Sequence, residues 1–226
     1  MSAEAPLKEF RDVMLKAIEG LNLEKNQEHS RIDHHTPGMD YLNLQRSDKF
    51  TLKLYLIEED IKVNSGYLVH PHTHRYEFNT VVLAGSIGNV IFEDVGKKPK
   101  KTCQQRWEDD IAGGGDFAAD RYQYSYEDGI DDLCPQETWL NVHTGASAGY
   151  NVGQSYFLKT DQIHTLVTRG EPTLLCLSQF EDKAKSNRLY LPRGAAMPER
   201  TGHTPTMHEM VALKNRCLEL IHAGNQ

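Results

Sequence analysis

The sequence predicts a mainly β domain, a barrel or double-sheet sandwich with a helix at each end. Three observations predict it. Short segments of alternating or continuously apolar character recur between Phe50 and Ser178, each bounded by Gly, Pro or Asp, as in many-stranded antiparallel folds. Apolar residues at three- and four-residue spacing occur only near the two termini. The length, 226 residues with 38% hydrophobic against 25% charged, suits one domain with a core over about 50–180.

The N-terminal helix, about 5–20, is read from Leu7, Phe10, Val13, Met14, Ala17, Ile18 and Leu21, with Gly20 as its stop. Residues 22–49 are polar and turn-rich. Strand character begins at Phe50, where Phe50, Leu52, Leu54 and Leu56 alternate with Thr51, Lys53, Tyr55 and Ile57. Further strands are expected over Gly66–His74, Phe78–Leu83 and Asn89–Phe92. The 95–150 stretch reads as one long insertion with a half-buried strand at Tyr122, Tyr124 and Tyr126. Strands return at Ser155–Leu158, Thr165–Thr168 and Thr173–Ser178. Met207, Met210, Val211, Leu213, Leu218 and Ile221 predict a closing helix, about 205–222, capped from Thr204 or Thr206.

The formal net charge of -7 argues against nucleic-acid and anionic-membrane partners, which need a basic surface. The Lys97–Lys101 run reads as a solvated loop for the same reason. No apolar run approaches ~18 residues, and the first residues lack the basic-then-apolar order of a secretory signal. Cys103, Cys134, Cys176 and Cys217 form no C-x-x-C pair, so a reducing cytoplasm is the expected location.

The informative segment is Gly66-Tyr-Leu-Val-His70-Pro-His72-Thr-His74-Arg-Tyr-Glu77-Phe-Asn79-Thr-Val-Val-Leu-Ala-Gly85. Side chains two apart on a strand share a face, so these histidines can project together. Packing does not explain three imidazoles in five positions, because burying them together costs desolvation. Imidazole suits iron, nickel, zinc and copper alike.

This segment resembles the first motif of the cupin superfamily: a glycine, five residues, His-x-His, a gap and a closing glycine. Gly66, His72, His74 and Gly85 fit that frame. The stretch Tyr156-Phe-Leu-Lys-Thr-Asp-Gln-Ile-His164-Thr-Leu-Val resembles the second, with a lone His. The resemblance implies a cupin-type double-stranded β-helix, a jelly-roll barrel, with His72, His74 and His164 holding one metal ion. The glutamate common in the first motif would fall at Phe78, which cannot bind metal. Two ligand sets remain. A one-residue bulge could bring in Glu77 or Asn79, or the site has three histidines and no carboxylate, similar to thiol dioxygenase-type cupins. His70 with His72 is an alternative frame whose spacing to Gly85 is long.

Around the histidines, Tyr76 shares their face by alternation and is a catalytic candidate together with Glu77. Asn79 and Arg121 are candidates for substrate binding, Arg121 through its bidentate fork. His34, His35 and His143 sit in Gly- and Pro-rich loops and read as surface residues. His203, His208 and His222 belong to the terminal helix region.

The function that follows from the resemblance is a mononuclear non-haem Fe(II), dioxygen-dependent oxygenase acting on a small polar substrate such as an amino acid or thiol. The alternatives are a metal-dependent isomerase, dehydratase or lyase using nickel, zinc or manganese, and a ligand-binding cupin without catalysis. The expected partners are a small-molecule substrate and dioxygen. A second copy of the chain could cover a sheet edge as a homodimer.

Overall fold

The computed structural model describes residues 4–58, 68–98, 114–125, 135–199 and 202–223. Gly66, Cys103, Cys134, Tyr126, Lys100 and Lys101, and the side chain of Tyr124, lie outside the described residues.

Two antiparallel sheets face each other, with helices on the outer side of the first. That sheet has the order β1 (Met39–Arg46), β2 (Phe50–Ile57), β10 (Thr173–Asp182), β3 (Tyr76–Ala84) and β8 (Ser155–Leu158). The second runs β11 (Ser186–Pro192), β5 (Asp116–Ser125), β6 (Gln136–Val142), β4 (Ser86–Asp94) and β7 (Ala148–Asn151). Strand β9 (Ile163–Thr168) pairs with the other edge of β4. The class is mainly β with terminal helices, as the sequence predicts. Among the described residues the two sheets stay open and do not close into one barrel.

The register explains the apolar runs of β2 and β10. Tyr55, Ile57, Leu175 and Leu177 face the space between the sheets with Phe78, Val82, Ile91 and Leu158. Leu54, Leu56, Leu174 and Cys176 face the opposite way, under the helices. A strand covered on both faces shows little polar alternation.

Helix α1 (Glu4–Glu19) and helix α3 (Met207–Ala223) supply Met14 and Ile18, and Met210, Leu213, Cys217 and Ile221, to that outer layer. Burying each such side chain contributes roughly 1.5–3 kcal/mol. Thr206 caps α3: its Oγ1 accepts from Glu209 N at 3.3 Å, and Glu209 accepts from Thr206 N at 2.7 Å, a capping box.

Several elements differ from the sequence expectation. The polar 22–49 stretch holds a short helix α2 (Leu23–Gln27), with Asn22 at its N-cap, and the strand β1. The outer edge of β1 is hydrogen-bonded within the chain, Arg31 and Tyr41 exchanging backbone bonds of 3.0 and 2.9 Å. Strands β6, β7 and β11 were not expected either. The predicted Gly66–His74 strand is also absent from its described part, which carries one isolated bridge position, His72. Pro71 has no N–H to offer a ladder, and the neighbouring groups divide their bonds between two strands. Leu68 N donates to Leu166 O on β9 at 2.7 Å, while Thr73 N donates to Arg188 O on β11 at 2.9 Å.

Candidate metal centre

His164 sits second on β9, where alternation turns it and Leu166 toward the first sheet and turns Ile163 and Thr165 away. His72 is fastened to it through the backbone, each N–H donating to the other's carbonyl at 3.0 Å. His74 follows two residues later on the same side. The three rings form a triangle with centroid separations of 4.5, 4.9 and 5.0 Å. One nitrogen of each lies within 4.8 Å of the other two. Nε2 of His74 and Nε2 of His164 are 2.9 Å apart. Two imidazoles at right angles on one ion, with bonds of about 2.0–2.1 Å, would hold their nitrogens at about that spacing.

The other ring nitrogens are anchored. His72 Nδ1 lies 2.8 Å from the carbonyl oxygen of His70, which can only accept, so the proton sits on Nδ1 and the Nε2 lone pair is free. His164 Nδ1 donates to Oδ1 of Asn89 on β4, also at 2.8 Å. Such bonds fix both tautomer and ring orientation, as ligating histidines require. Burial, then the neighbouring imidazoles, holds the pKa values of His74 and His164 well below the usual histidine range. Burial lowers that of His72, against an opposing bond from His70. All three are neutral at pH 7, and a metal would have no proton to displace. The donor set fits a borderline transition metal such as iron(II), nickel(II) or zinc(II).

Strand β3 forms one wall. Phe78, 2% exposed, sets its ring 4.8 Å from His74 and 5.8 Å from His164, an apolar wall against the cluster. Tyr76 lies on the same face, its ring 5.2 Å from His74.

Glu77 and Asn79 alternate with these residues and belong to the opposite face of β3. Glu77 makes an ion pair with Lys183 at 2.5 Å, and the register irregularity opposite it, between Gln179 and Asp182, puts its extra residue on β10. Arg121 is likewise not brought to the histidines. It shares a face of the second sheet with Phe117 and Ala119, and its guanidinium bonds Asp94 at 2.9 Å and Gln136. His164 points from the other face. Asp94 is also bonded by Tyr190 and Thr138, so this acid–arginine network is internally satisfied; burial raises the carboxyl pKa, and the hydrogen bonds together outweigh it and lower the pKa.

Three residues stand near the site without having been singled out for it. His35 sets its ring 5.9 Å from His72 and 4.0 Å from that of His34, which in turn meets Tyr41 edge-on at 4.6 Å. His35 is exposed, as the sequence predicts, and His34 is half-buried; the turn before β1, closed by His34 N on Met39 O at 2.7 Å, carries both over the triad. Asn89 is the third. It stands between Ile87 and Ile91 in an inward row, and a polar residue in such a row is the signal that could have found it.

No protein-family model and no curated protein matches the chain. Among solved structures, the chain is similar to the polyketide cyclase RemF from Streptomyces resistomycificus at 15% identity and TM-score 0.36, covering 72% of this chain and 75% of that one. A conserved protein of unknown function from Streptococcus pyogenes matches at 10% identity and TM-score 0.33, with 65% and 76% covered. Streptomyces albus HEPD, with 2-hydroxyethylphosphonate and Fe(II) bound, matches at 9% identity and TM-score 0.37, over 68% of this chain and 24% of that one. The chemistry of the site stands on its own geometry.

Proposed function

We propose that this protein is a mononuclear non-haem Fe(II), dioxygen-dependent oxygenase acting on a small polar substrate such as an amino acid or thiol. The observation that carries this reading is the convergence of three neutral imidazoles, His72, His74 and His164, in a group that includes no carboxylate among the described residues. Three neutral ligands leave a divalent ion its full charge, which favours an anionic substrate atom such as a thiolate beside it. Bound iron(II) would supply the redox chemistry that makes dioxygen reactive toward an adjacent substrate.

The chain's own residues would do the rest. The carbonyl of His70 and the amide of Asn89 hold two of the rings in place. Phe78 excludes water from one side of the cluster. Tyr76 brings a phenol to the inner face and is the catalytic candidate that this reading keeps. Glu77 has no such support, since it is committed to Lys183. A Lewis-acid isomerase or lyase would need a proton carrier, and with Glu77 on the outer face that role falls to Tyr76.

Elemental analysis of untagged protein tests the reading, followed by dioxygen uptake with a panel of small amino acids and thiols after anaerobic Fe(II) loading. About one iron per chain and substrate-dependent oxygen uptake are expected. Turnover without oxygen, on zinc, nickel or manganese, would replace the oxygenase with Lewis-acid chemistry. Failure to bind any of these metals would leave a binding module.

A further inference from the structure

The inner row of β2 carries a lysine where the register demands burial. Lys53 is two residues before Tyr55, pairs with Leu177 on β10, and is 7% exposed. Its ammonium lies over three tyrosine rings, 5.0 Å from the centroid of Tyr41, 5.5 Å from Tyr55 and 5.8 Å from Tyr76. Among the described residues it has no hydrogen-bond acceptor and no carboxylate. Arg121 differs on both counts: its side chain is 32% exposed, and its charge is matched by Asp94.

A largely buried ammonium packed against ring faces is incompletely satisfied. Tyrosine rings recover part of the lost hydration and leave the N–H donors available. Burial pushes its pKa down to about 8, so it remains cationic at neutral pH. Tyr76 is the link to the metal centre, because the ring under Lys53 is also the ring beside His74. At the end of β2 and β10 there is a polar cavity of about 420 Å³, lined among others by Arg46, Asp48, Thr51, Arg75, Gln179 and Asp182, the last paired with Arg75. Neither Lys53, its three tyrosines nor the three histidines line it. Thr51 and Gln179 are the next residues outward in the same inner rows as Lys53 and Leu177, so the cavity borders the lysine end of this space.

We propose that Lys53 is the anion anchor of the site, taking the carboxylate or other acid group of a small substrate whose far end reaches the three histidines. The proposal rests on the functional reading above for the role of that far end. It deepens the reading by making the substrate an acid, with the charge recognised by Lys53 and the alkyl portion passing Tyr76. The arginine that the sequence suggested for this task is Arg121, and its place is taken by a lysine from another strand.

The test separates this proposal from the metal reading. The probes are 3-mercaptopropionate and its uncharged amide, 3-mercaptopropanamide, with ethylphosphonate to distinguish a carboxylate from a phosphonate head. Binding is read by calorimetry and saturation-transfer NMR, which need no turnover, on protein with and without added metal. The wild type should prefer the acid over the amide by about tenfold or more, as expected of a charge-assisted hydrogen bond. Lys53→Met and Lys53→Gln should lose that preference while keeping wild-type metal content and amide affinity, and Lys53→Arg should keep most of it. Equal affinity of the wild type for acid and amide, or an undiminished preference in the folded neutral variants, overturns the proposal. Loss of metal binding with the Lys53-dependent preference intact would instead overturn the metal reading.

Discussion

Oδ1 of Asn89 on β4 accepts a hydrogen bond from Nδ1 of His164 on β9 at 2.8 Å, so a residue outside both histidine motifs sets the direction of a ring inside one. Neighbouring strands make this possible: Asn89 and His164 share the inward face of the β4–β9 pair. Asn89→Leu keeps the approximate volume and removes the acceptor. We expect it to weaken metal binding about 10–100-fold, the usual cost of losing a ligand's outer partner, while the chain stays folded. Competition against a chelator of known affinity reads the change. An unchanged affinity would show that packing alone orients His164.

The partly and fully buried histidines make the metal-free protein sensitive to acid. Burial lowers the pKa of His34 to about 3 and of His70 to about 4, and holds His74 and His164 well below the usual value. In the unfolded chain each titrates near 6.5. Between those limits the unfolded state binds more protons, so stability is greatest above pH 6.5 and falls as pH drops toward the folded values. Denaturant midpoints of the chelated protein should therefore decrease steadily from pH 7 to pH 5. A flat profile would mean that these rings are hydrated enough to titrate normally in the folded state.

The alternation of β2, the Ser155–Leu158 strand and both terminal helices were legible because each has a face with one periodicity. The His-x-His pair was legible because packing does not explain clustered imidazoles, and the later lone His through its resemblance to the second cupin motif. What stayed hidden depends on tertiary partners. β1 and β11 carry polar residues that are satisfied only across the sheet or by neighbouring segments. Asn43, for example, is 2% exposed and its amide donates to Asn26 at 2.9 Å. Sequence alternation also does not say which row of a strand faces the site. In β2 the row containing Lys53 faces inward and the row of leucines lies under the helices, so the lysine reads as a solvent residue until the helices are placed.

Glu77→Ala provides a direct check on the face of β3. Its only charged partner in the described residues is Lys183, whose side chain is 51% exposed, and such pairs contribute about 0–1 kcal/mol. Metal stoichiometry should be unchanged and the stability loss should stay within about 1 kcal/mol. Loss of the metal in this variant would move Glu77 to the inner face and restore a carboxylate to the ligand set.

The closing glycine of the first motif has a backbone reason. Gly85 joins β3 to β4 with φ of +68°, a conformation that side chains rarely adopt. A Cβ there would also meet the carbonyl oxygen of Pro172 at 2.4 Å and Thr173 Oγ1 at 2.6 Å. The Pro172 oxygen is backbone and cannot swing aside, and Thr173 Oγ1 is itself held to Ser86 O at 3.0 Å. Gly85→Ala should therefore cost more than the conformational strain of about 1–3 kcal/mol alone. Gly170→Ala is the control, since its φ is +80° but nothing lies within 4 Å of the added carbon. Thermal unfolding of the two variants separates the contributions: strain is common to both, and the excess loss in Gly85→Ala measures the collision with β10. Equal losses would mean that the β3–β4 turn shifts to make room, and the metal affinity of Gly85→Ala would then report how far that movement travels along β3 to the wall beside His74.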